Sequence, residues 1–185
     1  MFAFLMLRIP KTIKFLTFFY IFFNVFSSIS QTNEDVPLNN IAINEIPKPI
    51  SSLIFEDFLG NKIDLKNYHG KLVIINFWAT WCAPCKKEMP SLDGLYKDTR
   101  FKNLQIFAVN MEKPNTAKTK KFFKDLNIEK LEIFFDSDLN FVKKLKLRGV
   151  PTTVLINKKG EEFARIIGEV NFQNAKFLKW LSKYD

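Results

Sequence analysis

Cys82 and Cys85 are the only cysteines in a chain of 185 residues, and just Ala83 and Pro84 separate them. Two thiols at that spacing can close a small disulfide ring, so the first chemistry to weigh is reversible oxidation of a dithiol. Zinc is a competitor, because paired cysteines are also half of a ribbon or finger site. Structural zinc takes four Cys or His ligands, and the only histidine is His69, in the turn-like run Tyr68-His69-Gly70-Lys71. That ligand count disfavours a metal, and none is expected. An inert pair of thiols packed as small hydrophobes is the other alternative, and the flanking sequence argues against it.

Upstream, the run Leu72 to Trp78 (LVIINFW) is mostly apolar and β-branched, the pattern of a strand buried on both faces. Downstream, the spacing predicts a helix over 86–99 with Met89, Leu92, Leu95 and Tyr96 on one side. The cysteines therefore lie where a buried strand delivers the chain to a helix N-terminus. Unpaired N–H groups and the positive end of the helix dipole stabilise a thiolate there, and such cysteines fall from a pKa of about 8.5 to roughly 3.5–7.5. Lys86 and Lys87 either add to that field or form a solvated face. In this geometry the first cysteine is normally exposed and the second lies a turn deeper. Cys82 is accordingly assigned as nucleophile and Cys85 as resolving thiol: the Cys82 thiolate attacks a partner disulfide, and Cys85 breaks the resulting mixed disulfide, releasing the partner reduced. Cys85 needs a base. Glu88, one turn further on the same helix face, could accept its proton, or could equally be a surface glutamate favoured by the dipole.

The string NFWATWCAPCKKEMP, from Asn76 to Pro90, resembles the active-site segment of the TlpA and ResA type of thioredoxin-like proteins, secreted or membrane-tethered bacterial thiol-disulfide oxidoreductases. General thioredoxins have a buried Asp where this chain has Asn76; the TlpA and ResA branch usually has Asn there and an acid at the place of Glu88. The resemblance implies that Glu88 takes over proton handling. A second segment, Gly149-Val150-Pro151-Thr152-Thr153 before Val154-Leu155-Ile156, resembles the cis-proline loop that faces the cysteines in thioredoxin folds. From the residues alone Pro151 reads as well as a trans loop or edge residue. The resemblance implies that the Val150 backbone pairs with a bound partner chain like an added strand, and that Trp81, Pro84, Val150 and Pro151 dock the substrate.

The likeness runs from about Ser51 to Tyr184 and implies an α/β thioredoxin fold, a central mixed sheet flanked by helices, with an N-terminal β-hairpin across Phe55–Leu65 and a central insertion. The stretch between Asn110 and Pro151 is longer than a minimal thioredoxin needs, which fits that insertion. Around it, 104–110 reads as a buried strand, 116–126 and 138–147 as helices, 158–160 as a hairpin turn with 162–167 returning, and 172–184 as a closing helix.

Ahead of this domain (51–185) stand two further regions. Residues 1–30 combine a basic start (Arg8, Lys11, Lys14), the apolar run Phe15 to Phe26 and the small-x-small site Ser28-Ile29-Ser30. The apolar run is short of the about twenty residues that a membrane span wants, yet no charge appears from Phe15 to Asn33, so a cleaved signal peptide and a retained inner-membrane anchor both stand. No cysteine is available there for lipid attachment. Residues 31–50, polar and carrying Pro37, Pro47 and Pro49, read as a flexible tether. Both readings of the leader put the domain in the bacterial periplasm. The net charge is +9, of which Arg8, Lys11 and Lys14 supply +3, leaving +6 on the rest. These are scattered lysines on an exported domain, so nucleic acid is not expected as a partner; anionic membrane or acidic proteins are.

The function expected is that of an exported protein disulfide reductase needing no cofactor beyond its own Cys82–Cys85 disulfide. The resemblance implies a transmembrane thiol transporter of the CcdA or DsbD kind as electron donor. It implies as acceptors apocytochrome c before haem attachment, or the copper-delivery proteins and copper-bearing subunit of cytochrome oxidase. Two alternatives remain. A DsbA-like oxidant uses the same frame at a potential near about −120 mV rather than about −270 mV, although Ala83-Pro84 resembles the reductases. A Cu(I)-binding chaperone module would use both thiolates as soft ligands, but chaperones on this fold typically have one more residue between the cysteines and a distant histidine near the cis-proline loop, whereas His69 precedes the cysteines here.

Overall fold

The computed structural model describes residues 38–50 and 52–185. The expected leader, 1–30, and residues 31–37 of the expected tether lie outside the described residues. Among those described, no helix is long and apolar enough to cross a membrane.

Eight strands, β1 (Ile41–Pro49), β2 (Ile54–Asp57), β3 (Lys62–Asp64), β4 (Leu72–Trp78), β5 (Leu104–Asn110), β6 (Ile133–Phe135), β7 (Thr152–Ile156) and β8 (Glu161–Ile167), form one sheet in the order β1-β8-β7-β4-β5-β6-β2-β3. β4–β5 and β5–β6 are parallel pairs, and the others are antiparallel. Among the described residues, four helices flank it: α1 (Ala83–Tyr96), α2 (Thr116–Asp125), α3 (Asn140–Leu145) and α4 (Ala175–Leu181). This is the mixed sheet flanked by helices that the sequence predicts, with β2–β3 as its hairpin.

All seven residues of β4 are buried because both faces of the strand are covered. Alternate residues point to opposite sides. Leu72, Ile74 and Trp78 pack with Met89, Leu92 and Leu95 of α1, Phe122 and Phe123 of α2, and Phe177 and Leu181 of α4. Val73, Ile75 and Phe77 meet Phe107, Phe134, and Phe141 and Leu145 of α3. The segment between β5 and β7 contributes α2, β6 and α3; β6 extends the sheet beside β5 and joins it to the hairpin through Glu56↔Phe135 and Asp57↔Phe134.

Residues 41–49 correct the tether reading: they are strand β1, paired at Ile41–Ile43 and again at Lys48–Pro49 with β8, with a register shift between. Pro47 and Pro49 are tolerated because β1 is an edge strand with an irregularity, the setting in which a missing N–H breaks no ladder. In the irregular stretch Asn44 Nδ2 donates to the Glu162 carbonyl at 3.0 Å, replacing a backbone bond with a side-chain one.

Helix α1 begins earlier than its apolar spacing suggests, since Cys82 is its N-cap and Pro84 occupies its first turn, where a missing N–H is harmless. Asp93 fixes the other end of this helix. Its buried carboxylate accepts the N–H groups of Lys130 at 2.7 Å and Leu131 at 2.9 Å and pairs with Lys97 at 2.7 Å. Asp93→Ala strands these donors and is expected to destabilise the fold by about 3 kcal/mol. Urea unfolding checks this, and an unshifted midpoint would show that the loop before β6 holds without the clamp.

Candidate active site

Cys82 and Cys85 are joined as a disulfide with Cα atoms 5.3 Å apart, at the point where β4 hands the chain to α1. The Cys82 side chain folds back as the helix N-cap, so that Sγ accepts the Cys85 N–H at 3.2 Å. A donor aimed at that sulfur favours its ionised over its protonated form once the disulfide opens. The fold-back also explains a departure from expectation: Cys82 is only 3% exposed in this oxidised state, and Cys85 is 0% exposed. The exposed residue is the neighbouring Trp81, at 69%.

Glu88 is not a surface glutamate; it is 1% exposed. Its Oε1 accepts from Asn76 Nδ2 at 2.7 Å and its Oε2 from the Val170 N–H at 3.1 Å. Asn76 Nδ2 also donates to Thr153 Oγ1 at 2.9 Å. Four parts of the chain thus converge on one carboxyl: α1, β4, β7 and the segment after β8. Burial drives the Glu88 pKa up to about 7; the Asn76 and Val170 hydrogen bonds oppose the rise, and the nearby charge of Glu169 adds to it.

The Val150–Pro151 peptide is cis. Pro151 is buried, and its carbonyl accepts the Gly168 N–H at 2.9 Å. Because β4 and β7 are antiparallel with Phe77 opposite Thr152, the end of β4 that leads to Cys82 and the start of β7 at Pro151 lie at the same margin of the sheet. Among the described residues, the N–H and carbonyl of Val150 have no hydrogen-bond partner. They are open to pair with an incoming extended chain.

Spacing alone misses Glu112. Its Oε2 accepts the Thr80 N–H at 2.6 Å, its Oε1 pairs with Lys118 Nζ at 2.7 Å, and its own N–H goes to Asn110 Oδ1 at 2.7 Å. Burial alone would push this carboxyl up, but Lys118 and the Thr80 N–H outweigh it and hold it below the usual range. The effect is to pin the turn just before Cys82. A signal existed: β5 runs parallel to β4 with Asn110 opposite Trp78, so residues just past Asn110 must arrive beside the cysteines. His69 is at the far end of β4, packed against Gly160. A strand of seven residues at about 3.3 Å each sets it more than about 20 Å from the cysteines.

The chain matches the AhpC/TSA family over residues 46–161. It is 36% identical over 125 residues to the thiol-disulfide oxidoreductase ResA of Bacillus thuringiensis subsp. konkukian, a match that covers 68% of this chain and 71% of that one. ResA of Bacillus subtilis is 33% identical over 117 residues, 63% of this chain and 64% of its own. Among solved structures, StoA from Bacillus subtilis aligns with a TM-score of 0.59 at 27% identity, over 72% of this chain and 98% of its own.

Proposed function

The chain belongs to the AhpC/TSA family of thioredoxin-fold proteins, and from that premise we propose that this thiol-disulfide oxidoreductase works as an exported protein disulfide reductase. The observation that carries the proposal is the buried Glu88 carboxyl, one helical turn from Cys85 and with a pKa of about 7, the value a proton acceptor needs at neutral pH.

In the reduced protein the Cys82 thiolate, favoured by the Cys85 N–H and the helix N-terminus, attacks one sulfur of a partner disulfide. The S–S bond of the partner breaks, and its leaving thiolate takes a proton from solvent. Cys85 then gives its proton to Glu88 and attacks Cys82 Sγ; the second partner sulfur leaves as a thiolate that takes a proton from solvent, and the Cys82–Cys85 disulfide closes. Two electrons have passed to the partner, and no cofactor beyond this disulfide takes part. Trp81, Pro84, Val150 and Pro151 form the docking rim, with the open Val150 backbone pairing to the partner chain.

The charge pattern of the leader supports a periplasmic setting, behind a cleaved signal or an inner-membrane anchor. A transmembrane thiol transporter would recharge Cys82 and Cys85, and apocytochrome c or copper-site proteins would be the acceptors. Direction is a matter of potential. The couple, equilibrated in defined thiol buffers and read by alkylation, is expected near or below about −250 mV, in the thioredoxin range; a value near about −120 mV would make the protein an oxidant.

A further inference from the structure

The two faces of the sheet are not equally covered. On the face packed by α3, that helix of six residues covers the middle strands and reaches β8 at its last residue, Leu145. A groove of about 890 Å³ remains between β8, β1 and the loop 146–151. Where β7 sends Val154 and Ile156 to this face, their register partners on β8 are Arg165 and Glu162. A strand face meant only for apolar packing would carry no charge there; here it carries a largely buried ion pair, with Glu162 8% exposed.

Its charges do not cancel. Among the described residues, Glu162 is the only carboxylate lining the groove, and it is already taken by Arg165, through Nε to Oε1 at 2.8 Å and Nη2 to Oε2 at 2.9 Å. Arg165 Nη1 in turn donates to the Leu145 carbonyl at 2.8 Å, pinning the end of α3 to β8. Around this neutral pair stand Lys48, Lys144, Lys146 and Arg148, all exposed. None has an ion pair among the described residues, and Lys144 Nζ reaches only the Ser52 carbonyl. Ile167, 62% exposed, adds an apolar contact on the same floor.

The groove ends at Val150 and Pro151, where the backbone is open for strand pairing. A partner held there in extended form runs on into the groove. We propose that this groove receives the chain beside the partner's reactive cysteine and selects acidic residues in it. The cations line a concavity, which suits an extended chain, rather than the flat or convex face that a lipid surface contacts. This inference rests on the disulfide-reductase reading and adds to it a class of partner: proteins whose target cysteines have acidic flanks.

The test uses the purified full chain, reduced and mixed with oxidised peptides that share one disulfide and differ only in acidic, neutral or lysine flanks. At low ionic strength the acidic peptide is expected to react about tenfold faster than the neutral one, the lower end of electrostatic steering. The difference should collapse in about 0.5 M salt, and the double variant Lys146→Glu/Arg148→Glu should invert the ranking of acidic and lysine peptides. Equal rates for acidic and neutral peptides, while oxidised β-mercaptoethanol is still reduced, overturn the groove and leave the reductase reading standing. Failure to reduce any disulfide overturns both. A flat peptide ranking together with salt-sensitive binding to phosphatidylglycerol vesicles that the double variant loses would assign the cations to a lipid surface, and also overturns the proposal.

Discussion

Cys82→Ser should reduce no disulfide above the uncatalysed background, whereas Cys85→Ser should accumulate as a covalent adduct with its substrate. The two outcomes separate because the two sulfurs occupy different positions. Cys82 is the N-cap and receives the Cys85 N–H on its Sγ, so it is the thiol expected to ionise and attack. Serine is itself a favoured N-cap; its Oγ can take the same hydrogen bond, the start of α1 is kept, and the loss reports on sulfur chemistry rather than on folding. Cys85 is fully buried and is expected to act only after the partner is attached. With a hydroxyl in its place nothing inside the protein can attack Cys82 Sγ, and the mixed disulfide persists until an outside thiol opens it. Non-reducing electrophoresis and intact mass, after reaction with an oxidised peptide, read both results. Adduct formation by Cys82→Ser instead of Cys85→Ser would exchange the roles of the two residues.

The same contrast, local against distant, decides what could be read from the sequence. The cysteines, the buried run of β4 and the helix start after it are set by residues within a few positions of one another, and the turn at Gly160 (φ +80°) was visible in the same way. β1 was not visible. Its burial recurs every third residue rather than every second, it contains two prolines, and it is a strand only because β8 stands beside it. α3 starts later than its apolar pattern because Leu139 takes a left-handed conformation (φ 53°) and Asp136, from the preceding turn, accepts the N–H groups of Asn140 and Phe141. At the site, spacing put Glu88 on the face of Cys85 but could not say what covers it. The cover comes from Asn76, Thr153 and Val170, the last 82 positions away. Glu112 is the same case: its place beside Thr80 follows from parallel pairing, which becomes known only once the strand order is.

Glu88→Gln tests the proton handling, and the hydrogen-bond pattern shows why the variant should fold. Glu88 accepts from two donors, Asn76 Nδ2 and the Val170 N–H, whereas glutamine offers only one acceptor oxygen. The buried Asn76 Oδ1 has no partner among the described residues, so Asn76 can turn its amide and accept from the new NH₂ group. The Thr153 hydroxyl can then donate where it now accepts, and the glutamine oxygen keeps Val170. Stability should respond to pH with a definite sign. The unfolded carboxyl titrates near 4.5 and the folded one at about 7. Below 4.5 both states carry the proton. Between 4.5 and 7 only the folded state does, so unfolding releases a proton and stability falls as pH rises, by about 3 kcal/mol across the window. Above 7 both are ionised and the loss is complete. Glu88→Gln removes this slope, so denaturant midpoints of wild type and variant should diverge as pH rises from 4.5 to 7, with the variant gaining relative to wild type. The kinetic effect runs the other way. Without a base for the Cys85 proton, resolution of the mixed disulfide at pH 7 should slow about a hundredfold, the lower end of general acid–base effects, and the inflection near pH 7 in the rate profile should vanish. If the variant loses the stability slope yet keeps the wild-type rate profile, Glu88 is a buried structural acid and the proton of Cys85 leaves by another route.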